Sequence, residues 1–291
     1  MKNDELLRGV GDGAGEAMAR QALLRQSVPE AVRSSDAREI ERWERVRTQI
    51  QQRLRLPWGN ETAAVLAAVA AHRAYWRPAD VRLLVLSESH VLTRESELAV
   101  KVPLGVFGHP QAPTSYVRLL YCLGYGERDL CDGRLQGNAG SPQFWKLITG
   151  GLDETRCASV VERTEPDFIT RLTAKLRVLE ELKARGVWLL DACPVALYAA
   201  SQPKPRMAML AQAMELAWAA YTREAIREAT PRAVMIVGKM VHDGIGARIR
   251  ALFGPSVPVG WMYQPQARRP AAEHRAGIER LRAMIRNTEG L

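Results

Sequence analysis

Cysteine is scarce in this 291-residue chain: Cys122, Cys131, Cys157 and Cys193 lie 9, 26 and 36 residues apart. That spacing makes neither a disulfide framework nor a zinc-ligand pattern, so single buried thiols in a reducing, cytoplasmic protein are expected, with no metal. Long apolar runs are missing as well. The most apolar stretch, Thr62 to Tyr75, is interrupted by His72 and Arg73, and nothing approaches the length of a membrane span. The opening MKNDELLRGVGDGAG lacks the apolar region of a secretory signal. Lysine is sparse beside arginine, and Lys+Arg 41 against Asp+Glu 32 leaves a formal charge of +9. No GxGxxG follows an apolar run, and GxxxxGK[ST], GxSxG and HExxH do not occur. The common dinucleotide, phosphate-loop, hydrolase-elbow and metalloprotease readings therefore fall away.

What is present describes a globular chain. An apolar fraction of 47% with 25% charged residues excludes disorder and collagen-like repeats, and the length can bury a real core. The basic excess sits late. From Arg248 onward there are arginines at 248, 250, 268, 269, 275, 280, 282 and 286, but glutamates only at 273, 279 and 289. Arginine's planar fork suits phosphate oxygens, so a nucleic-acid partner is weighed against a merely solvated basic face.

Residues 1–30 carry four glycines and a proline and read as a loose arm. Ser35-Asp36 then predicts the start of a helix to about Leu56, with Ile40, Trp43, Val46 and Ile50 on one face. Pro57-Trp58-Gly59-Asn60 breaks it, and Asn60 opens an alanine-rich helix to Trp76. Beyond this helical extension, residues 1–78, the pattern changes over 79–291. Short apolar runs at Val81–Leu86, Leu98–Val102, Val187–Leu190, Ala233–Val237 and Pro258–Tyr263 read as buried strands. Helical periodicity separates them at Ser115–Leu123, Phe168–Arg185, Met207–Glu228 and Ala271–Arg286. The expected fold is α/β, a three-layer α/β/α sandwich around a mainly parallel sheet of four to five strands. The strands end in Ser87-Glu88, Asp191, Gly238-Lys239 and Gln264, and the carboxyl ends of such strands form the ligand crevice.

Taken in order, those strand ends resemble the uracil-DNA glycosylase superfamily. Leu84-Val-Leu-Ser87-Glu88-Ser89-His90-Val91 is similar to the motif after that family's first strand, in its GEAPG form. Leu189-Leu-Asp191-Ala-Cys-Pro194 falls where a central strand carries the base-reading asparagine. Met235-Ile-Val-Gly238-Lys239 resembles the fourth strand, and Met262-Tyr-Gln264-Pro265-Gln266-Ala267-Arg268 the late HPSP-type loop. The likeness spans roughly residues 80–290. It departs from the family at Ser89-His90, where a proline is missing, at Gln264 in place of histidine, and at Asp191 in place of asparagine. Val100 stands where an aromatic stacks on the base, and the cysteine spacing excludes the iron–sulfur cluster of the GEAPG branch.

The resemblance implies a DNA glycosylase with no cofactor, working on a base flipped out of the duplex. Cleaving an N-glycosidic bond builds positive charge on the sugar and negative charge on the base. Glu88 is then the acid beneath the sugar, Gln264 a neutral donor toward the base oxygen, and His90 a further catalytic candidate. Each has a plainer reading as a loop carboxylate, a turn amide or a structural imidazole. Asp191 with Ser87 would face the base edge. A carboxylate accepts from cytosine N4–H2, and a protonated one would also donate to N3, so the implied target is a cytosine. Val100 and the Gly/Pro-rich segment 105–151, including Asn138, would leave room for a bulky C5 substituent such as glucosylated hydroxymethyl, as in some phage DNA. Ser89, Ser141, Lys239, Arg268 and Arg269 are the candidates for gripping DNA. A monomer is expected. A nucleic-acid-binding member without chemistry, a repair glycosylase for uracil, and a nucleotide hydrolase on the same kind of sheet remain open.

Overall fold

Four of the five apolar runs become strands in the computed structural model, which describes residues 30–54, 56, 61–130, 142–161, 163–200, 202 and 205–289. They are β1 (Leu83–Ser87), β2 (Val187–Asp191), β3 (Ala233–Val237) and β4 (Val259–Met262). All neighbours pair in parallel, in the order β2-β1-β3-β4. β2 is thus an edge strand, and β1 and β3 are the inner ones; the expectation that Asp191 ends a central strand is corrected. β1, β2 and β3 are nonetheless buried along their length, which explains why they read as continuous apolar runs instead of alternating ones. Tyr121 covers part of the β2 edge, its hydroxyl accepting from the Leu189 N–H at 2.8 Å.

Parallel strands need crossovers, and helices supply them. Among the described residues there are eight: α1 (Glu30–Leu54), α2 (Ala63–Trp76), α3 (Pro142–Leu152), α4 (Phe168–Ala184), α5 (Met207–Ala217), α6 (Arg223–Ala229), α7 (Lys239–Phe253) and α8 (Ala271–Glu289). A π-helical turn, Trp218–Thr222, joins α5 to α6, so the single predicted helix 207–228 is interrupted. α4 packs on β2, α7 on β3 and β4, and α8 on β4, β3 and β1. The architecture is α/β, as expected, with every strand parallel. No helix among the described residues is long and apolar enough to cross a membrane.

The chain divides into two compact units, Met1–Glu39 and Ile40–Leu291. The second therefore begins well before the expected boundary at residues 78/79. Trp43, Val46 and Ile50 of α1 and Val65, Leu66 and Val69 of α2 belong to the same core as the strands. Ile40 is only half-buried. The expected arm falls almost entirely on residues 1–29, outside the described residues. α1 starts at Glu30, so Ser35-Asp36 lie within it; α2 is capped by Thr62, whose hydroxyl accepts from Val65 N, while Asn60 lies outside the described residues.

Two expected elements do not form. Leu98–Val102 is no strand: Glu95–Ala99 coils as a 3-10 helix, and only Lys101 makes an isolated bridge, to Ser115. The buried Glu97 carboxylate organises this turn, accepting from Arg94 N and from the Arg118 side chain. Nor is Ser115–Leu123 a helix. Tyr116 N donates to Val100 O and Arg118 N to Thr93 Oγ1, so its donors are taken by neighbouring loops instead of the previous turn. Of the thiols, Cys122 and Cys193 are buried and free, Cys157 is free but only half-buried, and Cys131 lies outside the described residues.

Candidate active site at the carboxyl ends of the strands

Because every strand points the same way, their carboxyl ends deliver side chains to one rim. β1 runs into Glu88 and β2 ends on Asp191, and the ladder continues past both: Ala192 N donates to Ser87 O at 2.7 Å and Cys193 N to Glu88 O at 2.9 Å. Gln264 follows β4 and passes close to Gly238 at the end of β3. Gly238 has φ +113, and a Cβ there would stand 3.1 Å from Gln264 Cγ, so glycine is needed both for its backbone and for that approach. Ser87, Glu88, Ser89, His90, Asp191 and Gln264 all line a cavity of about 350 Å³.

Glu88 is 5% exposed and held at both oxygens. Tyr198 Oη donates to Oε1 at 2.6 Å, and Gln264 Nε2 donates to Oε2 at 2.7 Å. Burial, and the Glu88 carboxylate facing it, push the Tyr198 phenol far above its ordinary range, so it remains a neutral donor. The amide of Gln264 is directed at Glu88, which makes it a positioning residue for that carboxylate; the expectation that it reaches the base oxygen is revised accordingly.

Behind Glu88 lies a buried ionic cluster. Arg73 Nη2 donates to Asp191 Oδ2, and Ser87 Oγ donates to Oδ1 at 2.6 Å. His90 Nδ1 faces the same Oδ2 at 3.3 Å, while its Nε2 lies 2.9 and 3.0 Å from the two oxygens of Glu61. Glu61 Oε2 also accepts from Ala196 N at 2.9 Å. Burial pushes the Asp191 carboxyl up, but the Arg73 charge and hydrogen bonds from His90 and Ser87 bring it down to about 2. Asp191 is therefore an acceptor only, and the expected protonated form that donates to a base is corrected. Burial also disfavours imidazolium at His90, yet the Glu61 charge and hydrogen bonds to Asp191 and Glu61 raise it to about 9. Its side chain is fully enclosed, with both ring nitrogens directed at carboxylates. His90 holds Asp191 in place and does not reach a substrate.

This cluster makes stability depend on pH in a defined way. The folded pKa of His90 lies above its ordinary 6.5, so its contribution is complete below pH 6.5 and is lost as pH rises through about 9. Asp191 acts at the other end, contributing above 3.8 and losing that contribution as pH falls through about 2. Across the His90 window one proton is released on unfolding, so unfolding free energy should fall by up to ~1.4 kcal/mol per pH unit. Imidazole NMR titration should find one histidine still protonated at pH 8. A full set of neutral imidazoles at that pH would contradict the assignment.

Other sequence-expected residues fall elsewhere. Ser89 Oγ donates to His90 O and accepts from Leu197 N, so its hydroxyl ties the β1 loop to the 195–198 segment at the cavity wall. Val100 is buried outside the cavity, its carbonyl bonded to Tyr116 N. The aromatics that line the cavity are Tyr121, Tyr125, Phe144, Trp145 and Tyr198, whereas Val100, expected to stand at the base, is not among its lining residues. Lys239 pairs with Asp243 one helical turn on, away from the cavity. Arg268 and Arg269 are exposed on the loop that begins with Gln264, and Arg269 lies 4.6 Å over the Tyr263 ring. Asn138 and Ser141 lie outside the described residues.

No protein-family model matches the chain, and no curated protein matches it. The site thus stands on its geometry. Three of its members, Glu61, Arg73 and Tyr198, were not singled out from sequence. Arg73 did leave a signal, a charge interrupting an otherwise apolar helix; Glu61 and Tyr198 left none, because only tertiary contact gives them partners.

Proposed function

We propose that this chain is a DNA glycosylase that flips out and excises a bulky C5-modified cytosine, such as glucosylated hydroxymethylcytosine, from foreign DNA and leaves an abasic site. The observation that carries this reading is Glu88, a buried carboxylate fixed from both sides by neutral donors at the wall of a cavity it shares with Asp191. The Glu88 side chain would lie beneath the sugar, where positive charge develops as the C1′–N1 bond breaks. It then orients water toward C1′ and takes its proton. Ionised Asp191 accepts from the exocyclic N4–H2 at Oδ1, which has one lone pair beyond the one used by Ser87, while Arg73 and His90 occupy Oδ2. The aromatic wall supplies a stacking face, and the cavity exceeds the needs of an unmodified pyrimidine.

DNA would be held by phosphate contacts from the loop after Gln264. Replacing Arg268 and Arg269 by alanine should weaken binding across all sequences and lower the log–log salt slope by roughly 0.9 for each phosphate no longer neutralised. A parental salt slope in the double variant would place this loop off the DNA.

A binding protein without chemistry is the competing reading, and it draws on Gln264, whose amide is engaged by Glu88 where the resembled family has a histidine. Incubation of the protein with duplexes carrying different C5-modified cytosines, followed by mass spectrometry, separates the two. Free modified base and an abasic strand are expected. Retarded DNA with no released base from any duplex would favour the binding protein, and turnover of free nucleotides alone would favour a nucleotide hydrolase.

A further inference from the structure

Tyr121 stands where the cavity wall meets the outer edge of β2. It is 3% exposed and lines the cavity together with Leu189 and Asp191. Its hydroxyl oxygen accepts from the Leu189 N–H at 2.8 Å, which fixes the phenol to the strand that ends on Asp191. The oxygen's acceptor role is therefore taken by backbone, whereas the O–H hydrogen has no acceptor among the described residues. Burial pushes the phenol far above its ordinary range; the Leu189 N–H and the Arg73 charge oppose this, and the Asp191 charge adds to it. Tyr121 thus keeps its hydrogen and is a neutral donor. A buried donor without an acceptor is costly, and native structures leave few of them.

Other donors on the cavity wall are spent or stand elsewhere. Ser87 donates to Asp191, Ser89 to His90 O and Tyr198 to Glu88. His90 is enclosed by two carboxylates, and the Gln264 amide is turned to Glu88. Arg118 is engaged by Glu97, and Tyr125 feels that same pair. The Trp145 ring lies under Lys175, and Gln202 and Gln266 are exposed at the rim. Beside Asp191, the hydroxyl of Tyr121 is the donor held ready by the fold. No hydrogen bond joins Tyr121 to Asp191, so the two are spaced to meet groups at opposite ends of a ligand edge.

We propose that the Tyr121 hydroxyl donates to the O2 carbonyl oxygen of the flipped base, while Asp191 Oδ1 accepts from N4–H2 at the other end of the same edge. This rests on the glycosylase reading above and names the group that stabilises the leaving base. When the C1′–N1 bond breaks, its electron pair passes to the base and spreads onto O2. A donor already fixed there binds that oxygen more strongly than it did in the ground state. Water forms the new bond at C1′ and Glu88 accepts its proton. The base leaves as an anion that solvent then protonates, and Tyr121 keeps its own hydrogen throughout. Tyr121 thereby takes the part toward the base oxygen that Gln264 does not.

The test compares 5-hydroxymethylcytosine with its 2-thio counterpart, whose sulfur is a weak acceptor, in matched duplexes. For Tyr121→Phe, single-turnover release of the oxygen base should fall by ~10²–10³, the loss typical of one preorganised donor. Duplex affinity should stay at the parental level, and the 2-thio base should be released at nearly the same rate by parent and variant. A merely structural tyrosine would lower both releases by the same factor, which overturns the proposal, as does parental release of the oxygen base by the folded variant. The variant also leaves the Leu189 N–H without its acceptor, so a second readout uses the parent alone. In protein carrying ¹³Cζ-labelled tyrosine, free 5-hydroxymethylcytosine should shift the Tyr121 resonance and the free 2-thio base should shift it less. A response confined to other tyrosines, or equal for the two bases, overturns the proposal even if Tyr121→Phe does not fold. A parent that releases no base from any duplex overturns the glycosylase reading instead, and the Tyr121 resonance then decides whether the phenol meets O2.

Discussion

Glu88→Gln is expected to lower base release by ~10²–10⁴ while leaving the protein folded and still able to bind substrate DNA. The substitution is nearly isosteric, and its consequences at the two oxygens differ. Gln264 can keep donating to the remaining carbonyl oxygen. Tyr198, whose hydroxyl rotates, can turn from donor to acceptor and take an amide N–H. The hydrogen-bond frame around residue 88 therefore survives, and what disappears is the negative charge beneath the sugar. Single-turnover release from a duplex with the preferred modified cytosine, set beside equilibrium binding of the same duplex, measures both halves. Unchanged release from folded Glu88→Gln would remove Glu88 from the chemistry. Since His90 is enclosed by two carboxylates, no second acid at the β1 end would be left to replace it.

Asp191→Asn should act on stability and on base choice at once. The carboxylate is the shared anion for Arg73 and His90, and the asparagine amide would set an N–H₂ against one of those donors. Removing one partner from a buried pair costs ~3–5 kcal/mol, chiefly through the charge left without compensation. For a unit of this size each kcal/mol moves the melting temperature by about 2–4 °C, so a fall on the order of 10 °C is expected. Recognition should shift as well. The amide can donate to O4 and accept from N3–H, so uracil gains while a cytosine derivative loses its acceptor for N4–H2. Each good base-edge pairing discriminates by ~1–3 kcal/mol, and the release ratio of uracil to modified cytosine should rise by one to two orders of magnitude. A ratio is insensitive to the fraction of folded enzyme, which keeps the two effects apart. A ratio that stays put would mean Asp191 does not read the base. A parental melting temperature would mean the Arg73 and His90 charges are not anchored on it.

The strands legible in the sequence are those buried on both faces or backed by a helix. Val81–Leu86, Val187–Leu190 and Ala233–Val237 are continuous apolar runs because parallel strands inside a layered fold have no wet side. Leu98–Val102 looks the same to such a reading, but Glu97 buries its carboxylate there to bind Arg118 and Arg94, and a 3-10 turn results. The site divides along the same line. Glu88, Asp191 and Gln264 could be found because strand ends are marked by apolar runs giving way to polar residues. Arg73 and Glu61 lie before the sheet, in segments that periodicity assigns to a helical extension, and their roles depend on partners such as Asp191, 118 residues from Arg73. The aromatic wall was missed because Phe144 and Trp145 belong to a helix, α3, buried in a stretch whose glycines and prolines read as loop.

The parallel pairing of β1 has a consequence for how the chain folds as it is made. Its partners are Val187–Asp191 on one side and Ala233–Ile236 on the other, and no nearer strand lies beside it. Leaving the ribosome at about 5–20 residues per second, Leu83–Ser87 waits on the order of 5–20 s before the first of them has been synthesised. Both of its faces are apolar and destined for burial, so for that interval it is a strand with two open edges and no sheet. Early in synthesis the nascent chain is therefore dependent on α1 and α2, or on a chaperone, to cover the very strand from which the site later hangs.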